Sequence, residues 1–461
     1  MTAQQFETVA AISTPPGKGG VALIRISGPD AIPIADACFS PRGGKRLADH
    51  PARMAVYGDI VGADGRIDDG IALLFRAPHS YTGEDVAELT CHGGRLVTEA
   101  VLTAVLSAGA VPAPAGEFTR RAFLNGRLSL TDAEAIGDLL DAQTTAQLRL
   151  AGNDARDKLN AAVNGCAEDL LHLLATLFAQ IDFPDEDLGS MTTDEILSVL
   201  NRCDLTLGQL CDRYRTGHAV NEGITTVLCG RPNAGKSSVY NLLAEQELAI
   251  VTDVAGTTRD VLETTVSVGP MLLRVFDTAG IHETQDKVER IGVTRARQKM
   301  ESCELVLAVF DASAPLTSED RELIGLLDRV EGQVVALLNK SDLPRHPDAE
   351  EIAAHFPRCL SISALRAEDR AKLCALLEDM FLDENVTIGE DAIPANARQH
   401  AALLRASQAV RCALEAFGGG MPVDAAAAEI EQAVEALREM DGRGLAAELT
   451  DHIFHRFCVG K

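Results

Sequence analysis

The sequence has no tryptophan, and aromatic residues make up only 4% of its 461 positions. Basic residues are also scarce, with 42 Lys and Arg against 68 Asp and Glu, which gives a formal net charge of −26. The shortage of aromatic rings argues against an extended stacking platform for single-stranded nucleic acid. The acidic balance argues against a dominant nucleic-acid-binding surface, although it leaves room for a local basic patch.

Long apolar runs are missing as well. No stretch reaches the roughly 18 residues of a membrane span, and the opening MTAQQFETVAAI has no basic segment leading into an apolar one. We therefore expect a cytoplasmic protein without membrane association. The 11 cysteines include no CxxC pair, which favours reduced thiols. Cys458 in FCVGK stands out by its position, and both a buried thiol and a functional thiol remain open for it.

Three kinds of pattern divide the chain, in agreement with a prior of about three domains for this length. Residues 1–122 alternate apolar and polar positions with frequent turns, which predicts an α+β domain. Helical periodicity fills residues 123–221 and returns over residues 384–461, whereas residues 222–383 alternate strand-like and helix-like segments. We predict a discontinuous helical domain into which a parallel α/β domain is inserted.

Several helix boundaries are visible in the sequence. A helix is expected from about Arg95 to Ala108. TDAE, Thr131 to Glu134, has capping-box spacing and is expected to open a helical stretch that continues through EAIGDLLDAQTTAQLRLAGNDA. Thr192 and Glu195 repeat that spacing at a later helix.

A phosphate-binding motif occurs where its chemistry requires it. GRPNAGKS, Gly230 to Ser237, follows the strand-like ITTVLC and precedes the helical SSVYNLLAEQE. Its glycines let backbone amides turn toward phosphate oxygens at a helix N-terminus. Lys236 is expected to reach the β- and γ-phosphates, and Ser237 to hold Mg²⁺. The predicted GTP-binding residues of this motif are Asn233, Ala234, Gly235, Lys236, Ser237 and Ser238.

Two further motifs follow strand-like segments. DTAG ends LLRVFD, where Asp277 would approach the metal and the Gly280 amide the γ-phosphate. NKSD ends QVVALLN, and its Asp342 can accept from guanine N1 and the exocyclic amine, so we expect GTP rather than ATP. In SAL, a backbone amide would meet guanine O6. The predicted contacts are Asp277, Thr278, Ala279, Gly280, Asn339, Lys340, Asp342, Ser363, Ala364 and Leu365.

The segment TDVAGTTRD lies between the phosphate loop and DTAG, where a metal-sensing switch belongs. Thr258 is the expected second Mg²⁺ hydroxyl, and a polar surface loop is the alternative. The predicted nucleotide contacts in this segment are Thr252, Asp253, Val254, Ala255, Gly256, Thr257 and Thr258.

The residue after DTAG is Ile281, although Ras-like enzymes orient the attacking water with a glutamine there. Water positioning and charge compensation must therefore come from elsewhere. The side-chain oxygen of Asn233 could help to cage a monovalent cation in place of an arginine finger, or Asn233 is an ordinary loop residue. Glu289 is the nearest downstream carboxylate for the water, or it belongs to a solvated helix face.

The motifs together resemble one family over essentially the whole chain. TPPGKGGVALIRISG, SYTGEDVAELTCHGG, GEFTRRAFLNGRLSL, IDFPDEDL, GRPNAGKSS, TDVAGTTRDV, DTAGI with VERIG, and FCVGK occur in the order found in the MnmE (TrmE) tRNA-uridine modification GTPases. The resemblance implies a tetrahydrofolate-binding, dimerising domain over residues 1–122. It also implies a discontinuous helical domain over 123–221 and 384–461, and an inserted Ras-like GTP-binding domain over 222–383.

The resemblance also implies roles for particular residues. Glu289 would orient the water indirectly and would act with Lys236 and Asp277 as catalytic residues. Arg127 occupies a folate-contacting place where lysine is expected, and the two side chains differ in geometry. The remaining implied sets are Asn233, Thr252, Val254 and Thr257 for K⁺, Ser237 and Thr258 for Mg²⁺, and Arg25, Glu88, Arg127 and Lys461 for a folate such as 5-formyltetrahydrofolate. Without the family, Arg25 and Glu88 would be interpreted as surface charges.

In the family, GTP hydrolysis drives a conformational cycle of a homodimer in complex with the flavin protein MnmG (GidA). Together they modify C5 of the wobble uridine of certain tRNAs with a folate-derived one-carbon unit. The acidic charge agrees with tRNA being held mainly by that partner. The alternative function is a regulatory GTPase, such as a ribosome-assembly factor, that acts only as a molecular switch.

Overall fold

The computed structural model describes residues 7–182, 191–244, 263–277, 302–419, 421, 423–442, 454 and 460. The chain forms two compact units, one of Met1–Gly137 with Glu435–Lys461 and one of Asp138–Val434. Both ends of the sequence therefore belong to the first unit. The three-domain boundaries expected from the sequence remain predictions.

The first unit contains a mixed sheet. Its strands are β1 Val9–Ile12, β2 Val21–Ser27, β3 Phe39–Pro41, β4 Val56–Gly62, β5 Gly65–Phe75, β6 Val86–His92 and β7 Val111–Pro112. Their order is β3-β4-β5-β6-β2-β1-β7, and β1 and β7 are the parallel pair. Alternation in VALIRIS buries Ala22, Ile24 and Ile26 against helices α1 (Ala31–Cys38) and α2 (Arg95–Ser107). The expected helix beginning at Arg95 is confirmed.

Helices follow this sheet in the chain. They are α3 Glu117–Leu124, α4 Leu130–Asp141, α5 Thr145–Leu150, α6 Asn153–Asp182 and α7 Thr193–Asn221. The capping box of Thr192 and Glu195 is confirmed at the start of α7. The helical stretch expected from Thr131 onward is instead divided into separate helices, because Thr144 and Gln147 form a new capping box before α5.

The cap expected at TDAE was assigned to the wrong residues. The reciprocal pair is Ser129 and Asp132, whose backbone N–H groups donate to each other's side chains at 2.9 and 3.0 Å. Thr131 is already inside α4, and its buried Oγ1 donates to the carbonyl oxygen of Met440 at 3.1 Å. Ser129 and Asp132 have the same three-residue separation as Thr131 and Glu134, two positions earlier in the sequence. This earlier pair caps the N-terminus of α4.

The second unit contains a largely parallel sheet. Its strands are β8 Ile224–Cys229, β9 Glu263–Val268, β10 Met271–Asp277, β11 Leu305–Asp311, β12 Gln333–Asn339 and β13 Cys359–Ser361. The order is β13-β12-β11-β8-β10-β9, with β9 antiparallel to β10. Residues 305–310 are all buried, as expected of a parallel strand covered on both faces. The carboxyl ends of β8, β10, β11 and β12 therefore share one edge, where open α/β sheets bind ligands.

The remaining described helices are α8 Lys236–Ala244, α9 Ser318–Leu327, α10 Ala349–His355, α11 Ala367–Phe381, α12 Ala397–Gly418 and α13 Val423–Met440. Helices α8 to α11 alternate with the strands of the second sheet, and α12 packs along α7. The fold thus combines an α+β part, a helical part and an α/β part. Within the described helices, none combines the length and apolar character that crossing a membrane requires.

Candidate nucleotide-binding site

The loop between β8 and α8 adopts backbone conformations that its sequence permits. Gly230, Asn233 and Gly235 have φ angles of 150°, 62° and 102°. A Cβ atom on Gly230 would collide with the carbonyl oxygen of Val309, and one on Gly235 would collide with the side chain of Asn339. Glycine is therefore required at both positions by positive φ and by close packing.

The phosphate loop carries its cation and hydroxyls at the start of α8. Lys236 Nζ donates to the carbonyl oxygens of Gly230 at 2.9 Å and Arg231 at 3.1 Å. Ser237 is exposed and Ser238 is half-buried in the first turn of the helix. A helix N-terminus with these groups attracts anions, since its free N–H groups and its dipole point the same way.

Asn339 joins the phosphate loop to the two loops that follow β12 and β13. Its Nδ2 donates to the carbonyl oxygen of Ala234 at 2.9 Å, and its Oδ1 accepts from the N–H of Ala364 at 3.0 Å. Asn339 is only 3% exposed, and its bond to Ala234 is buried. The structure thus brings GRPNAGKS, NKSD and SAL together at one sheet edge.

Asp342 presents a carboxylate at this edge. It is exposed, and its Oδ1 accepts a 2.6 Å hydrogen bond from Ser363 Oγ, which lowers the pKa of Asp342. The N–H of Ser363 in turn donates to Asp369 Oδ2 at 2.8 Å. An ionised carboxylate is an acceptor only, so it matches the adjacent N1 and amine donors of guanine. Leu365, the last residue of SAL, is 83% exposed.

Asp311 is a charged residue at the same edge that the sequence motifs did not identify. It ends β11 and is in register with Asn339 of β12. Lys340 Nζ donates to Asp311 Oδ2 at 2.7 Å, and Ser313 Oγ donates to Oδ1 at 2.6 Å. Arg231 Nη2 lies 3.7 Å from the same Oδ2. The sequence did contain a signal for Asp311. The strand-like run LVLAVFD ends in an aspartate, as LLRVFD does at Asp277.

Asp277 ends β10 and is in register with Leu228 of β8, so its backbone lies beside the strand that leads into the phosphate loop. The other predicted residues in this part of the chain lie outside the described residues and remain predictions, as do two at the end of the sequence. They are Thr252, Asp253, Val254, Ala255, Gly256, Thr257, Thr258, Thr278, Ala279, Gly280, Glu289, Cys458 and Lys461.

The first unit brings together two of the predicted folate residues. Arg25 of β2 and Glu88 of β6 are in register, and Arg25 Nε donates to Glu88 Oε1 at 2.9 Å. The Arg25 guanidinium lies 5.5 Å from the ring centres of both Tyr81 and Phe118. Neither residue is an isolated surface charge, since their side chains are 18% and 15% exposed.

Of the other predicted folate residues, Arg127 is described, whereas Lys461 lies outside the described residues. Arg127 is exposed after α3, and its Cγ atom lies alongside Gly83, in the loop that also carries Tyr81. Gly460, which precedes Lys461, accepts a 2.8 Å hydrogen bond from Ser13 Oγ. Gly460 therefore lies against the end of β1.

A phosphate loop at a parallel sheet edge, with a carboxylate matched to guanine and an asparagine that joins them, defines a P-loop GTPase. Residues 8–127 match the family model of the GTP-binding protein TrmE N-terminus, and residues 130–458 match that of the MnmE helical domain. The chain belongs to the MnmE (TrmE) family of tRNA modification GTPases, and it is a GTP hydrolase.

Curated relatives cover the full length. The tRNA modification GTPase MnmE of Lactiplantibacillus plantarum is 40% identical over 466 residues, which is 100% of both chains. That of Symbiobacterium thermophilum is 41% identical over 459 residues, 99% of each. Among solved structures, Era of Aquifex aeolicus is similar over 40% of this chain and 66% of its own, with 24% identity and a TM-score of 0.29.

Proposed function

We propose that this GTPase is activated by K⁺ and acts as a homodimer with a flavin-dependent MnmG (GidA) partner. Together they would modify C5 of the wobble uridine of certain tRNAs with a folate-derived one-carbon unit. The observation that carries this proposal is family membership over the whole chain, including the part with the Arg25–Glu88 pair. A ribosome-assembly switch would not require that part.

The nucleotide site fits Mg²⁺ and GTP. Ser237 offers an exposed hydroxyl at the first turn of α8, and the backbone of Asp277 ends a strand adjacent to β8. Ser237 and Thr258 would hold Mg²⁺, which supplies positive charge to the β- and γ-phosphate oxygens when bound. Lys236 would bind the same phosphates, and the NKSD and SAL residues would bind guanine.

Asn233 fits a role as a K⁺ ligand. Its side chain is exposed, and its φ of 62° places it in a tight turn of the phosphate loop. A neutral oxygen suits a weakly charged cation. We assign Thr252, Val254 and Thr257 as the other ligands, and Glu289 as the residue that orients the water, on family resemblance. The GTP-binding domains would pair across the homodimer.

The Arg25–Glu88 pair fits a folate. The aromatic rings of Tyr81 and Phe118 hold the guanidinium of Arg25 in place. Glu88 can accept from the donors of a pterin ring, while Arg25, Arg127 and Lys461 can neutralise the folate carboxylates. Because the net charge is −26, we propose that tRNA is held mainly by the partner. The complex would work in the cytoplasm.

Wobble-uridine analysis tests this proposal. Cells that lack the protein should lose the C5 modification from their tRNA, as measured by mass spectrometry of nucleosides. The wild-type gene should restore it, Asp342→Asn should not, and Asp328→Asn should, because Asp328 pairs with His355 away from the site. Full modification in the deleted strain would refute the tRNA proposal and would favour the switch function.

A further inference from the structure

The carboxylate of Asp311 lies between the two halves of the nucleotide site. Strand β11 separates β8, which leads into the phosphate loop, from β12, which leads into NKSD. At the end of β11, Asp311 Oδ2 is 2.7 Å from Lys340 Nζ and 3.7 Å from Arg231 Nη2. Lys340 belongs to NKSD and Arg231 to GRPNAGKS, so one carboxylate contacts a cation from each motif.

The surroundings make these contacts stronger than ordinary surface pairs. The side chains of Asp311, Arg231 and Lys340 are 10%, 19% and 33% exposed. Ser313 fixes the carboxylate further, with its N–H at 3.0 Å and its Oγ at 2.6 Å from Asp311 Oδ1. Partly buried, charge-assisted hydrogen bonds hold geometry better than solvated pairs do.

Arg231 is held from a second side. Its Nε lies 3.5 Å from Oδ2 of Asp320, a buried residue whose side chain caps α9. The carbonyl oxygen of Arg231 accepts from Lys236 Nζ. The position of Arg231 therefore affects the phosphate-binding lysine directly. On the other side, Lys340 is two residues before Asp342 and has a φ of 65°, so its contact helps to fix the turn that presents Asp342.

We propose that Asp311 is a positioning residue for GTP, because its carboxylate sets the spacing between the phosphate loop and the guanine loop through Arg231 and Lys340. This inference rests on the proposed nucleotide site and adds to it a residue that does not touch GTP. Burial raises the pKa of Asp311, but the hydrogen bonds from Lys340 and Ser313 outweigh it and hold that pKa below its usual value. The carboxylate is therefore charged at neutral pH.

The consequence for catalysis is specific. If Asp311 loses its charge, Arg231 and Lys340 repel each other because they no longer share a counter-ion. The phosphate loop and the guanine loop then lose their fixed spacing. The guanine loop and the loop amides on the non-reacting phosphates bind parts of GTP that do not change during hydrolysis, so the loss of spacing weakens ground-state and transition-state binding there alike. KM for GTP therefore rises more than kcat falls. A residue that only stabilised the fold would instead lower kcat through a smaller active fraction and would leave KM unchanged.

Steady-state GTP hydrolysis by the full chain tests this. Asp311→Asn keeps the shape of the side chain and an oxygen that can accept from Ser313. It should raise KM about tenfold or more while kcat changes less than about threefold. Arg231→Met and Lys340→Met, which leave Asp311 itself unchanged, should each raise KM. The Asp311→Asn/Lys340→Met double variant should raise KM by less than the product of the single effects, because one interaction is removed twice.

A matched control is Glu351→Gln, which breaks the exposed 2.6 Å pair of Arg321 and Glu351 in the same unit. Its KM should equal that of the wild type. An unchanged KM in Asp311→Asn, or strictly multiplicative effects in the double variant, would overturn the inference. The selectivity of the wild type for GTP over ATP is measured in the same experiment. If the wild type shows no selectivity, the guanine site itself is refuted. If the wild type is selective but Asp311→Asn has an unchanged KM, only the role of Asp311 is refuted.

Discussion

Ser363 Oγ donates a 2.6 Å hydrogen bond to Asp342 Oδ1, and so a residue from the loop after β13 orients the carboxylate that follows β12. Ser363 is itself buried and held by Asp369. The carboxylate is therefore fixed before any base binds. Preorganised acceptors discriminate strongly between bases, because a base without matching donors leaves them unpaired.

We expect the wild-type chain to prefer GTP to ATP by orders of magnitude. Asp342→Asn should weaken GTP binding about a hundredfold or more, because the new amide group places a donor opposite guanine donors. The same variant should gain affinity for xanthosine triphosphate, whose base offers an acceptor there. Calorimetric titration with the three nucleotides measures both effects.

The control for this substitution is Asp328→Asn, which removes an exposed carboxylate paired with His355 at 2.7 Å in the same unit. It should leave the nucleotide preference unaltered. Equal affinities of the wild-type chain for ATP and GTP would refute the base assignment.

A second prediction concerns Asn233 and K⁺. The full chain should hydrolyse GTP faster in KCl than in NaCl, and Asn233→Gly should abolish the difference. Glycine retains the φ of 62° without strain, so only the amide oxygen is lost. Asn233→Ala should abolish it too, but at a further cost of about 1 kcal/mol in stability, since alanine is strained at positive φ.

The comparison of the two variants separates a ligand from a turn residue. If Asn233→Gly keeps the K⁺ advantage and only Asn233→Ala loses it, the side chain is not a cation ligand. If the wild type is equally active in both salts, the K⁺ proposal fails altogether.

The nucleotide motifs could be recognised from sequence because they depend on local chemistry. Gly230 and Gly235 are fixed by the backbone that the phosphate loop requires, and ITTVLC and QVVALLN are buried strands followed by polar residues. These features need no knowledge of which strands are neighbours.

The contacts of Asp311 could not be recognised in the same way. They arise because β11 lies between β8 and β12, an order that the sequence does not state. Likewise, nothing local indicates that Ser13 and Gly460, 447 positions apart, are hydrogen-bonded. The helix cap at Ser129 was missed for a simpler reason, since two overlapping segments offer capping-box spacing and only packing decides between them.

A third prediction concerns pH and the ion pairs of His218. This residue lies in the last turn of α7, where its Nε2 is 2.7 Å from Glu304 Oε1 and its Nδ1 is 3.1 Å from Glu222 Oε2. Glu304 also accepts from the N–H of Thr225 at 2.9 Å. Glu222 and Glu304 together raise the pKa of His218 to about 9.

Because the folded-state pKa lies above the ordinary 6.5, protonated His218 stabilises the native state fully below pH 6.5. That contribution, of the order of 3 kcal/mol at most, should disappear as the pH rises through about 9. The stability difference between wild type and His218→Gln, from chemical unfolding at several pH values, should therefore shrink over this window. The exposed His172, replaced in the same way, serves as the control. A difference that stays constant from pH 6 to pH 10 would contradict the charged pair.

The final prediction concerns the end of the chain and the folate site. Gly460 has a φ of 96°, and a Cβ atom there would collide with the carbonyl oxygen of Ile12 in β1. Ser13 holds its carbonyl oxygen at 2.8 Å, and Phe454 is buried with its ring centre 6.0 Å from that of Phe123. Gly460 thus packs against the end of the strand whose Ala11 is in register with Arg25.

We expect Lys461 to join Arg25 and Glu88 in one pocket for an anionic ligand, since a lysine next to the anchored Gly460 can position a charge that a lysine on a frayed segment cannot. Deleting Gly460 and Lys461 should weaken 5-formyltetrahydrofolate binding about tenfold or more, because a cation opposite a carboxylate is lost. Lys461→Met tests the charge alone and should act in the same direction, whereas Gly460→Ala tests the anchor by forcing the collision with Ile12. GTP affinity should stay unchanged in all three variants, because the nucleotide site belongs to the other compact unit. Calorimetric titration with the folate and with GTP measures both affinities. Undiminished folate affinity after the deletion would exclude Lys461 from the pocket. A parallel loss of GTP affinity would show general misfolding instead of a lost contact.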